Sequence, residues 1–151
     1  MDKKQMSQDE LKKFIKENEP HPLHDSARSN DLGSFVEIQS NAGFSELLFS
    51  FIKGKNISEV ECYKKAGITP QHFSKIRSER NYTPTKGTVI SLAVSLKLNL
   101  EQTKKLLRSA GLAFTHSSKS DLIVEYFIIN EKWNLFQINE ALDSYGLEPL
   151  K

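Results

Sequence analysis

With 151 residues, the chain is long enough to bury a core without disulfides or metals, and 38% hydrophobic with 26% charged residues describes a globular chain, not a disordered one. Cys62 is the only cysteine, which excludes an intrachain disulfide and a multi-cysteine zinc site and fits a reducing, cytoplasmic setting. The net charge of +2 hides an uneven distribution: 6 basic and 8 acidic side chains in residues 1–43, 12 and 5 in 44–111, 3 and 6 in 112–151.

The segment nets of −2, +7 and −3 place the positive charge where a polyanion-binding surface would need it, because phosphate neutralisation supplies most non-specific affinity for DNA. A solvated basic face is the plainer alternative. Met1 to Glu19 lacks the apolar core of a signal peptide. Leu47 to Ile52, the densest apolar stretch near the middle, falls far short of the ~20 residues that cross a bilayer, so no membrane span is expected.

In chain order, Ser7-Gln8-Asp9-Glu10 has capping-box spacing, and Leu11, Phe14 and Ile15 recur at helical intervals, which predicts a short helix to about Asn18. Residues 20–43, rich in Pro, Ser, Asn, Asp, His and Gly, read as a linker or arm with one short extended piece at 35–38. Helical periodicity then becomes continuous. Phe44, Leu47, Leu48, Phe51 and Ile52 share a face up to Gly54. Ser58 caps a second helix carrying Val60, Cys62, Tyr63 and Ala66, with Gly67 as its left-handed terminator. Thr69-Pro70 starts a third, spanning about 70–79 before Asn81-Tyr82-Thr83-Pro84 interrupts it. Thr85 caps a fourth and Asn99 a fifth, closed by Gly111. Two C-terminal helices follow, one with Leu122, Ile123, Tyr126, Phe127 and Ile129 inward, the other with Phe136, Ala141, Leu142 and Tyr145 inward.

Ala66-Gly67-Ile68-Thr69, Phe73, Ile76, Pro84-Thr85, Thr88, Leu92-Ala93 and Leu96 resemble the lambda-repressor-like helix-turn-helix family, without a gap from Gly67 to Leu96. The resemblance implies a five-helix repressor-like domain over 44–111; with the periodicity on either side it gives an all-α chain, with a helical extension over 112–151, packed on that domain or at a dimer interface, and a short N-terminal helix on a linker within 1–43. The resemblance also implies a sequence-specific DNA-binding transcriptional regulator of bacterial or phage type, with the helix at 70–79 in the major groove. Two positions depart from the pattern: Tyr63 stands where the family has a small residue, and Glu79 where it often has glycine. Phe73-Ser74-Lys75-Ile76-Arg77-Ser78, Leu106-Leu107, Asp121 to Ile128 and Ile138 to Leu142 also resemble the helical module behind the macro domain of some bacterial ADP-ribose-processing proteins. That likeness covers about 44–147 and suits a non-enzymatic protein-interaction adaptor equally well.

With Phe73 inward and about 100° per residue, Gln71, Lys75 and Ser78 centre the outward face, flanked by His72 and Ser74. Gln suits adenine and Lys suits the two acceptors of guanine, although any exposed helix carries such residues. Arg80, Tyr82 and Lys86 are phosphate candidates, as is Arg77, which falls toward the inner edge of the helix and suits an internal salt bridge at least as well.

No glycine-rich phosphate loop, nucleophile elbow or zinc-hydrolase motif occurs, so no enzyme activity and no cofactor are expected. His21 and His24, in the Pro-rich stretch without further ligands, do not suggest a metal site. Cys62 reads as a small buried hydrophobe, and Trp133 with its neighbouring aromatics as core in preference to a docking patch. The partners to consider are double-stranded DNA, a second copy of the chain, and a protein meeting the N-terminal arm or the C-terminal helices.

Overall fold

The structure, a computed structural model, describes residues 8–17, 43–79 and 81–150. Among them the chain is all-helical and has no strand. The helices are α1 (Gln8–Glu17), α2 (Phe44–Gly54), α3 (Glu59–Lys65), α4 (Pro70–Ser78), α5 (Lys86–Ser95), α6 (Leu100–Ser109), α7 (Lys119–Ile129) and α8 (Leu135–Ser144). The piece at 35–38, together with His21, His24 and Arg80, lies outside the described residues.

Start and stop signals act where the side chains put them. Ser58, Thr69, Thr85, Asn99, Ser118 and Asn134 each accept a backbone N–H of the helix they precede, satisfying donors that a helix start leaves open. Asn99 and Gln102 form a full capping box. Gly67 and Gly111 end α3 and α6 at φ +71 and +76, a conformation that costs a side chain and suits glycine.

Two helices form the centre. α5 buries every residue from Thr88 to Ser95, and α7 buries Asp121 to Glu125, Phe127 and Ile128, as expected of helices surrounded on most sides. α5 packs on α3, α6 and α8, while α7 packs on α1, α6 and α8, and α2 rests on α6. Leu11 and Ile15 of α1 are buried, and Phe14 stacks on Tyr126 of α7 with ring centroids 5.1 Å apart. One apolar cluster runs from these residues through Leu48, Leu92 and Leu107 to Leu142. The indole N–H of Trp133 donates to the Leu98 carbonyl at 2.9 Å, tying the α7–α8 turn to the α5–α6 turn. None of the described helices is long and apolar enough to cross a membrane.

Three side chains read as inward are not. Val60, Ile129 and Phe136 are 48%, 50% and 69% exposed. Val60 lies two residues from buried Cys62, and Phe136 two from buried Ile138, a rotation of about 200° that turns each to the opposite side of its helix. Ile129 is the last residue of α7, past the stretch that neighbours cover.

The buried acids of α7 bear on pH. Glu125 is buried, and its carboxylate has His116 Nε2 at 3.5 Å. Burial pushes its carboxyl above the ordinary glutamate value, outweighing the pull of His116 and Lys104 in the other direction. The folded chain therefore holds this proton more tightly than the unfolded one, so stability falls as pH rises from the ordinary glutamate value through the raised one. Glu125→Gln is expected to flatten that fall, read as melting temperature against pH from about pH 4 upward. An unchanged profile would assign the pH dependence to other groups.

Candidate nucleic-acid interface

The segment that could meet a nucleic acid is built from α3, a tight turn and α4. After Ala66, Gly67 takes positive φ and its N–H donates to the Lys64 carbonyl at 3.1 Å, while Ile68 N–H returns to the Tyr63 carbonyl at 2.9 Å. The chain thereby leaves α3 within three residues. Thr69 caps α4 by accepting His72 N–H at 3.0 Å, and Pro70 occupies the first turn, where its missing N–H costs nothing.

α4 is held from behind. Phe73 and Ile76 are buried, and Phe73 meets two further rings, Tyr63 of α3 at 5.1 Å and Phe49 of α2 at 5.5 Å in an edge-on arrangement. Ser45 Oγ donates to the Ile76 carbonyl at 3.1 Å, fastening the start of α2 to the end of α4. Tyr63, large where the family pattern has a small residue, fills the space against Phe73. Glu79 ends the helix in extended conformation, φ −96 and ψ 114, so no left-handed residue is needed there.

The outward face carries Gln71, Ser74, Lys75 and Ser78, all exposed, within an arc of about 100° on the helix. Ser78 Oγ is spent on the Ser74 carbonyl at 3.0 Å. Lys75 forms no ion pair with a described residue. His72 is half-buried and turned aside, its Nε2 sharing a hydrogen bond with the Tyr82 hydroxyl. Burial, with Glu79 adding to it, pushes the Tyr82 phenol above its ordinary value, so it stays protonated at neutral pH.

The phosphate candidates divide. Arg77 is paired with Glu59 of α3 and lies over the rings of Phe49 and Phe73 at 5.1 and 5.9 Å, a placement that locks α4 to α2 and α3. Lys86 Nζ reaches Asp121 Oδ2 of α7 at 2.6 Å. Arg77, Ser78, Glu79 and Tyr82 line a cleft of about 350 Å³ that also holds Glu46, so two carboxylates border it.

The positive charge of residues 44–111 is spread over the molecule. Lys65 pairs with Glu61 at 3.1 Å, Lys55 Nζ reaches the Lys97 carbonyl at 3.4 Å at the far end of α2, and Lys104, Lys105 and Arg108 belong to α6. The ring of Phe49 and the hydroxyl of Ser45 are parts that periodicity missed, since Phe49 sits off the main apolar stripe of α2; its one legible signal is an aromatic next to Leu48.

Among the described residues no group of three or more His, Cys, Asp or Glu side chains could hold a metal ion. Cys62 is fully buried against the Ser95 hydroxyl at 3.4 Å, and burial pushes its thiol up, which suits packing and not nucleophilic chemistry. In comparisons with family models, with curated proteins and with solved structures, nothing matches this chain.

Proposed function

We propose that the chain is a sequence-specific DNA-binding regulator in which α4 enters the major groove, with α3 lying across its back. The observation that carries this reading is the division of α4: Phe73 and Ile76 face the core, while Gln71, Ser74, Lys75 and Ser78 stand exposed on one arc. A groove-reading helix needs that division, an anchored back and a free polar front. Gln71 and Lys75, one turn apart, would read base edges. Ser74 and Ser78 would contribute smaller contacts, and His72 with Tyr82 would shape the flank.

A second reading, a non-enzymatic protein adaptor, draws on the charge distribution. Arg77, Lys65 and Lys86 are each matched by a carboxylate, which leaves fewer of the described cations for phosphates.

The two readings part on a selection of random duplex DNA by the full chain at two salt concentrations, repeated with Gln71→Ala/Lys75→Ala. The expected result is a recovered motif that the double variant loses, with Lys75→Ala alone weakening specific binding by about 1–3 kcal/mol. Salt-sensitive binding without any motif would leave a general DNA binder. No binding at low salt would make the adaptor the better account.

A further inference from the structure

The ends of α3 and α5 and the start of α8 border a cleft of about 290 Å³, whose walls include Lys65, Val94, Lys97 and Trp133. Phe136 stands on its rim and is the most exposed large apolar side chain among the described residues. Because α8 buries Ile138 and Leu142, the opposite arc presents Phe136, Glu140 and Asp143 at spacings of four and three residues. An apolar knob is therefore followed along one helix face by two carboxylates. Neither carboxylate pairs with a described residue.

The cleft offers the complementary set. Lys97 makes no ion pair with a described residue, and the Lys65–Glu61 pair is half-exposed on both sides, the kind that contributes little.

We infer that this face binds a second copy of the chain about a two-fold axis, Phe136 of each copy entering the other's cleft while Glu140 and Asp143 lie along the other's Lys65 and Lys97. An isologous contact requires one patch to be complementary to itself. Here knob and socket adjoin, Phe136 belonging to the rim of its own cleft, and the carboxylates of α8 answer Lys65 at the end of α3 and Lys97 just after α5. Gln71 and Lys75 are not among the cleft residues. The contact does not depend on what α4 reads.

Sedimentation equilibrium of the full chain at rising concentration and two salt concentrations tests it. The expected result is a monomer–dimer equilibrium that weakens with salt. Phe136→Ser, on an exposed side chain whose loss leaves the far-UV spectrum intact, should raise the dimer dissociation constant about a hundredfold, since each dimer loses the ring twice. Glu140→Lys/Asp143→Lys and Lys65→Glu/Lys97→Glu should each be monomeric alone and pair one-to-one when mixed, because both halves of the contact regain opposite charges. A chain that is monomeric at every concentration overturns the inference and leaves the cleft to another occupant. A dimer indifferent to Phe136→Ser, or charge variants that do not pair, overturns it as well.

Discussion

Lys86→Ala lowers the unfolding free energy by about 3 kcal/mol, read from urea denaturation. Asp121 is 4% exposed at its side chain, and its Oδ2 accepts from Lys86 Nζ at 2.6 Å and from Thr115 N–H at 2.8 Å. Removing one partner of a buried pair leaves an uncompensated charge, a loss of roughly 3–5 kcal/mol. The lower end is expected because the Lys86 side chain is 31% exposed and water can reach the vacated place. Lys86→Met/Asp121→Asn should regain most of the loss: the amide oxygen still accepts Thr115 N–H, and no charge remains to be solvated. This separates two roles of Lys86. If the ammonium belongs to Asp121, the rescued double variant binds DNA with an unchanged salt dependence; if it is released to a phosphate, the slope falls by about one unit.

The helices were legible because their punctuation is local. Thr69-Pro70, Thr85, Asn99 and Gly111 act through hydrogen bonds or backbone conformations within a few residues of themselves, and such signals survive any tertiary arrangement. The all-helical class follows from them. Inward faces were less legible where a helix is covered on several sides or ends in the open. Val60 and Phe136 lie near the start of α3 and α8, where the first turn carries too few residues for periodicity to choose a direction.

The candidate site was legible in the burial of one side of α4 and the exposure of the other, and illegible in its charges. Phe73 and Ile76 on one side of α4, with Gln71 and Lys75 on the other, follow from helical geometry alone. That Arg77 meets Glu59, eighteen residues earlier, and Lys86 meets Asp121, thirty-five residues later, depends on which helices adjoin. Net charge per segment carries no such information. The positive balance of residues 44–111 is therefore a poor guide to where a phosphate would sit, since part of it is met by carboxylates of α3 and α7.

Phe73→Ala is expected to cost about 3–5 kcal/mol, the range for deleting a buried aromatic and leaving its cavity behind, and to loosen α4 before the rest of the chain unfolds. Phe73 is 2% exposed and holds Tyr63 and Phe49 on either side, so its loss removes ring contacts on two helices as well as its own burial. The guanidinium of Arg77 rests over the same rings and loses part of its seat. Hydrogen exchange should show the amides of Phe73 to Glu79 opening at lower free energy than those of α5 and α7, which pack on α3, α6 and α8 and on α1, α6 and α8. Equal opening in all three would mean that α4 is stabilised through the whole fold. Tyr63→Ala makes the companion test of the family pattern: a small residue there lets two helices approach, but here Tyr63 fills the gap, so the variant should lose stability and not tighten the crossing. If it gained stability, the packing of Tyr63 against Phe73 would be a strained accommodation and not the support that keeps the front of α4 in place.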